Sequence, residues 1–182
     1  MTPFELQKTL ESLTLLLDTR EQETTSLKRR LKDIGLPHKR KKLDFGDYSC
    51  ELTMPDGSVV RFDRLFAIER KMSIDELASC FTSQRKRFTA EFERAKAAGA
   101  KIYLLIEGAT MEKIVNGQYR SKVSPNALMA SVFAFLVRYN CQILFCKAET
   151  SGRVIKEILY REAKEYLQDM ETDNTHTKGE DD

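Results

Sequence analysis

Apolar residues follow two rhythms along this chain, and the rhythms alternate. Short apolar runs, such as 13–17 and 102–106, have the length and density of buried strands. Between them, apolar residues return every three or four positions, as on one face of a helix. The pattern predicts an amphipathic helix over 3–12 and a strand over 13–17 that ends at Asp18. Thr24 or Thr25 can cap a helix through Ile34, with Leu27, Leu31 and Ile34 inward and the basic residues outward; Gly35 then stops it. Strands near 37–43 and 47–54 are joined through Asp44-Phe45-Gly46. Pro55-Asp56-Gly57 reads as a hairpin turn into a strand at 59–62, followed by one over 65–71. Ser73 opens a helix, and Glu76 three residues later is placed to complete a capping box. A helix over 84–98 turns Phe88, Phe92 and Ala95 to one side. Then come the strand 102–106, helices at 110–116 and 125–138, a strand at 142–146 and a helix at 151–169. This order predicts an α/β domain with a mixed central sheet flanked by helices. The domain is expected to span 1–170, with a polar, acidic and disordered tail at 171–182.

Length adds that one domain with a sizeable core is expected from 182 residues. No apolar run approaches the ~20 residues of a membrane helix, and residues 1–10 lack a signal-peptide pattern. The four cysteines, Cys50, Cys80, Cys141 and Cys146, include no CxxC pair, so a reducing compartment is the simplest reading. With two histidines, His38 and His176, histidine-based zinc hydrolysis is disfavoured. No Walker-type or dinucleotide glycine motif is present.

Net charge is only +2, but it is unevenly spread: 171–182 holds five acids and one lysine, so the preceding residues carry +6. Basic clusters occur at Lys28-Arg29-Arg30 with Lys32, at Lys39-Arg40-Lys41-Lys42, and at Arg85-Lys86-Arg87. Each could be a solvated face. Together, flanking acidic motifs, they point to phosphate contacts with nucleic acid through Lys39, Arg40, Lys41, Lys42, Arg85 and Arg87.

Three acidic motifs sit at strand ends: Asp18-Thr19-Arg20-Glu21, Gly46-Asp47 and Glu69-Arg70-Lys71. Alternate residues of a strand share a face, so Ala67, Glu69 and Lys71 line one side and Phe66, Ile68 and Arg70 the other. A carboxylate and an ammonium therefore stand side by side. The carboxylate suits Mg²⁺, a hard cation, and the lysine can orient or help activate the attacking water and offset phosphate charge. Asp47 also reads as a turn residue, and Asp18 as a cap. Two or three carboxylates brought together would make the metal site of a hydrolytic nuclease.

These residues resemble a known family. Gly46-Asp47, then Glu69-Arg70-Lys71, then Asp75 three residues on, is similar to the signature of XPF-type structure-specific endonucleases. Asp18-Thr19-Arg20-Glu21 resembles the family's first block, Arg87-Phe88 with Arg94 its later helix, and Ser124-Pro125-Asn126-Ala127 the opening of its penultimate helix. The likeness spans about 15 to 167. It implies a restriction-endonuclease-like fold and Mg²⁺- or Mn²⁺-dependent cutting of branched or flapped DNA, in repair or recombination. It also implies metal ligands at Asp47 and Glu69, and Asp18 as ligand or organiser. Lys71 would serve water and phosphate; Arg20, Glu21, Arg70 and Asp75 would support the site, although Asp75 equally suits the first turn of its helix.

Many relatives carry a tandem helix-hairpin-helix domain, for which this chain has no residues after its acidic tail. That points to a compact bacterial or phage protein, cytoplasmic and nucleoid-associated, or to an excised piece of a longer one. The helix 125–138 is apolar nearly all round. With the last helix (Ile155, Leu159, Tyr166), it is expected to form a two-fold homodimer interface. A non-catalytic DNA-binding or scaffolding subunit, and a resolvase or restriction-like nuclease of the same fold, are the alternatives. The first of these usually loses the acids that this chain keeps.

Overall fold

The structure is a computed structural model that describes residues 2–176, with side chains as far as Met170. Its elements are α1 (Pro3–Glu11), β1 (Thr14–Asp18), α2 (Thr25–Ile34), β2 (His38–Lys41), β3 (Tyr48–Thr53), β4 (Val59–Arg61) and β5 (Phe66–Lys71). They continue with α3 (Ile74–Phe81), α4 (Arg85–Ala97), β6 (Lys101–Glu107), α5 (Met111–Val115), α6 (Pro125–Tyr139), β7 (Cys141–Cys146) and α7 (Ser151–His176). The expected mixed α/β sheet is present. It has seven strands in the order β2-β1-β3-β5-β6-β7, with β4 paired to β3.

Topology decides where the motifs meet. β1 runs antiparallel to β3, and β3 antiparallel to β5, while β5 and β6 are parallel. The ends of β1, β5 and β6 and the start of β3 therefore share one rim of the sheet. All three acidic motifs lie on that rim, because each occupies one of those strand termini.

Two apolar layers fill the faces. On one side, α3, α4 and α6 pack through Phe81, Phe88, Phe92, Phe135 and Tyr139 over Ala67, Ile102, Leu104 and Ile106. The Phe81 and Phe135 rings meet edge-on at 4.9 Å, a favoured aromatic geometry. On the other side, α1, α2 and α7 cover Leu15, Leu17, Tyr48, Phe66, Ile68 and Leu105. Here α7 presses closely on α2: a Cβ at Gly152 would come within 2.7 Å of the Asp33 Cβ. Among the described residues, no helix is long and apolar enough to cross a membrane.

Several expectations change. Helix α7 continues to His176, past the expected end at 169, and only 177–182 of the acidic tail lie outside the described residues. Glu76 does not close a capping box on Ser73. Ser73 accepts the Glu76 N–H at 3.1 Å, but the Glu76 carboxylate reaches one residue further back, to the Met72 N–H at 2.7 Å. The two helices expected to form one interface lie on opposite faces of the sheet. Ile155 and Leu159 are fully buried within the monomer, and Tyr166 packs edge-on against Phe62. α6 presents apolar surface outward, with Phe133 and Val137 exposed.

Candidate active site

The polypeptide enters β3 through a tight passage over β5. Gly46 has a φ of +72°, and a Cβ there would lie 2.6 Å from the Ala67 Cβ, so only glycine fits. The Gly46 N–H donates to the buried Glu91 carboxylate of α4 at 2.9 Å. The Asp47 N–H donates to the Ile68 carbonyl at 2.8 Å, and Asp47 Oδ2 accepts the Arg70 N–H at 2.8 Å. Asp47 is thus fixed beside β5. Glu69 and Lys71 rise from the same face of that strand, as strand alternation predicts, and form a buried ion pair. The Lys71 ammonium also stands 5.3 Å from the centre of the Phe88 ring.

Arg20, Glu21, Asp47, Glu69, Arg70, Lys71, Glu76, Arg87 and Glu91 line one cleft of about 130 Å³. A larger hollow, about 470 Å³, opens between α2 and β2. It brings no carboxylate pair together and has no hydrolytic chemistry to offer.

The charges in the cleft are strongly coupled. Burial, then the Glu69 and Glu21 carboxylates, push Asp47 well above its ordinary range; Lys71 and the Arg70 N–H pull it back. Burial also raises Glu69, to about 7, against the opposing pull of Lys71. Burial works against the Lys71 ammonium, yet Glu69 above all holds it higher than a free lysine. Glu69 thus favours the ammonium form of Lys71 in the metal-free protein.

This donor set fits a divalent cation. Glu69 Oε2 is buried with no hydrogen-bond partner, and Asp47 shares the same cleft. Two carboxylates raised together need more positive charge than Lys71 alone supplies. Among the described residues, no group of three His, Cys, Asp or Glu side chains is close enough to hold a metal by itself. A cation here would rest on Asp47 and Glu69 and complete its shell with waters or phosphate oxygens, as Mg²⁺ commonly does.

Asp18 is elsewhere. Its Oδ1 accepts the Arg20 N–H and Nε at 2.8 and 2.6 Å, and its Oδ2 accepts the Leu43 N–H at 2.7 Å. Both Asp18 oxygens accept hydrogen bonds and the residue lies outside the cleft wall, yet its N–H donates to the Asp47 carbonyl at 2.9 Å, so Asp18 organises the chain beside Asp47. Asp75 also faces away. It accepts the Arg120 and Ser121 N–H groups at 2.8 and 2.7 Å and so anchors the loop before α6.

Behind the cleft lies a polar network that the periodicity hid. Arg30, expected on the basic outer face of α2, is 5% exposed. It donates to the Tyr48 hydroxyl at 3.1 Å and lies 3.3 Å from Glu107 at the end of β6. Arg70 meets Glu107 from the other side at 3.2 Å, and the Tyr48 hydroxyl donates to Glu21 at 3.2 Å. Glu21 is thereby held at the cleft by groups from α2, β3 and β5. Glu91, Glu107 and Arg30 were all missed by sequence reading. Each interrupts an apolar pattern: Glu91 between Phe88 and Phe92, Glu107 after the run 102–106, and Arg30 beside Leu27 and Leu31.

The basic cluster 39–42 divides. Lys39 pairs with Glu51 at 2.5 Å, Lys41 with Asp63, and Arg40 with Glu23 at 3.5 Å. Lys42 is exposed, and among the described residues it has no ion-pair partner. Arg85 and Arg87 are both exposed, and Arg87 stands in the cleft wall.

A family model described as the ERCC4 domain matches residues 17–158. The fold is similar to XPF from Aeropyrum pernix, at 21% identity and a TM-score of 0.56, over 80% of this chain and 64% of that one. It is likewise similar to XPF from Aeropyrum pernix in complex with DNA, at 21% identity and a TM-score of 0.58, over 84% and 65%. The chain thus spans just under two thirds of these relatives. No curated protein matches it in sequence.

Proposed function

This chain belongs to the ERCC4 domain family, and from that premise we propose that it is a metal-dependent endonuclease acting on branched or flapped DNA. One observation carries the reading: Asp47, Glu69 and Lys71 converge in a single cleft in which Glu69 keeps a buried oxygen without a partner. Asp47 and Glu69 would hold Mg²⁺ or Mn²⁺, which supplies Lewis-acid chemistry to a phosphodiester and its attacking water.

The chain's own groups do the rest. Lys71, kept protonated, offsets negative charge on the phosphate. Arg70 fixes Asp47 through its N–H and, through its side chain, joins the network that holds Glu21. Glu91 fixes the Gly46 passage. A non-catalytic subunit would have no use for this buried acid pair, whose desolvation is costly.

Cleavage of flap, fork, four-way junction, single-stranded and duplex DNA in Mg²⁺, Mn²⁺, Ca²⁺ and chelator tests the reading. Cutting of branched forms in Mg²⁺, abolished by chelator, is expected; failure to cut any of them in Mg²⁺ or Mn²⁺ would refute it. Homodimerisation is part of the proposal, through α6 alone. Ala130, Phe133, Ala134 and Val137 form one exposed stripe on it, and a two-fold axis would bury that stripe against its copy.

A further inference from the structure

Three hollows that share wall residues lie side by side along α4. The cleft meets a second hollow, of about 330 Å³, at Arg20, which walls both. The second meets a third, of about 260 Å³, at Asp44 and Arg94. Helix α4 borders the whole run: Arg87 and Glu91 face the cleft, Arg94 the two outer hollows, and Ala97 the far end. The spacing 87, 91, 94 and 97 places these residues on one helical face. Between Arg87 and Ala97 the axis rises about 15 Å, enough for a few nucleotides.

The wall opposite α4 is basic as well. Lys42 borders the middle hollow and Arg64 the outer one. Among the described residues Arg94 donates to neutral carbonyls, of Asp44 at 2.8 Å and Ala90 at 3.1 Å, and pairs with no carboxylate. Arg64 pairs with Asp44 at 2.9 Å, but the side chains are 74% and 50% exposed. A pair so exposed is weak and readily exchanged for another anion. Ala97 and Ala98 keep the end of the trough open. The cleft itself is small and acid-rich, and offers little hold on a polyanion without this extension.

We propose that the trough is a track for the backbone of one DNA strand on its way to the cleft. Phosphates next to the scissile one would lie against Lys42, Arg64 and Arg94. The inference rests on the nuclease reading and adds where the strand runs. The cleft it leads to, of about 130 Å³, has no room for a duplex, so the occupant is a single backbone. Four basic side chains, Arg20, Lys42, Arg64 and Arg94, stand along the two outer hollows against one acid, Asp44, so the contacts would be to phosphate and blind to sequence.

The test measures binding of a labelled single-stranded oligonucleotide, and of the matching duplex, by anisotropy in chelator across a salt series. Cleavage in Mg²⁺ is followed in parallel. Lys42→Gln with Arg64→Gln should weaken single-strand binding about fivefold or more. It should also flatten the salt slope by about 1.4, from two contacts at roughly 0.7 each. Duplex binding should change less. Ala97→Glu should weaken and Ala97→Lys strengthen single-strand binding, with unchanged melting. Lys28→Gln with Arg29→Gln, on α2 across the sheet, should leave it unaltered. Equal losses from the α2 pair, or none from Lys42, Arg64 and Ala97, would overturn the track while leaving metal-dependent cleavage standing. Lack of single-strand binding by the unaltered protein would also overturn it. Trough-dependent binding without any cleavage would instead sink the nuclease reading alone.

Discussion

Asp47 Oδ2 accepts the backbone N–H of Arg70 at 2.8 Å, so the strand that carries Glu69 also fixes the second acid of the cleft. The spacing between these carboxylates is set by main-chain pairing of β3 and β5, which meet at Tyr48 and Ile68. A metal held there does not depend on flexible side chains to find its ligands.

Removing either acid should separate chemistry from binding. Asp47→Ala and Glu69→Ala are each expected to lower the cleavage rate ~10²-fold or more. Both proteins should still bind DNA, since the proposed phosphate contacts come from other residues. Single-turnover cleavage beside anisotropy checks both halves. Cleavage at the unaltered rate by either variant in Mg²⁺ would remove that residue from the site.

The same acids should make stability depend on pH. Glu69 titrates near 7 in the folded, metal-free protein, against 4.5 ordinarily. The folded chain thus binds this proton more tightly than the unfolded chain. Stability must then fall as pH rises from about 4.5 to about 7. Asp47, also raised, acts in the same direction. Lys71, raised above 10.5, gives up its contribution only at higher pH and does not enter this window. In chelator, urea unfolding should lose on the order of a few kcal/mol across the window. Glu69→Gln should reduce that slope and leave the part due to Asp47, and a profile already flat in the unaltered protein would contradict it.

Arg30 should behave as a buried residue and its neighbours as surface. Arg30→Ala leaves Glu107 buried with Arg70 as its remaining cationic partner, and is expected to cost about 3–5 kcal/mol. Lys28→Ala and Arg29→Ala should each stay within about 0.5 kcal/mol. Because Arg30 supports Tyr48, and Tyr48 supports Glu21, cleavage by Arg30→Ala should also fall at temperatures where it remains folded. Chemical denaturation of the three variants gives the comparison.

Much of this was legible in the sequence. Strand alternation placed Glu69 and Lys71 on one face, and the terminal positions of the acidic motifs anticipated a shared rim. What stayed hidden depended on partners far away in the chain. That Asp18 binds the Arg20 side chain and the Leu43 N–H could not be read from its own motif. Lys39 and Lys41 read as free phosphate contacts until folding brings up Glu51 and Asp63. Arg30 and Glu107 are polar residues inside apolar patterns, and no local rule pairs residues so distant in sequence. The joint interface of the last two long helices failed for a topological reason: consecutive helices around β7 packed on opposite faces.

That topology sharpens the remaining prediction. Val137 is 86% exposed and Phe133 49%, on a helix whose inner face is occupied by Leu128, Val132, Phe135 and Tyr139. A charge on the outer stripe cannot disturb the core directly. Val137→Glu should therefore melt within about 0.5 kcal/mol of the unaltered protein and keep its metal-binding cleft. If α6 joins two copies, sedimentation should show the unaltered protein as a dimer at tens of micromolar and the variant as a monomer. Two-fold symmetry would place Val137 against the same stripe in its copy, so one substitution introduces two buried charges and the effect is doubled. A monomeric unaltered protein would leave the stripe unpaired and require branch preference to arise within one subunit.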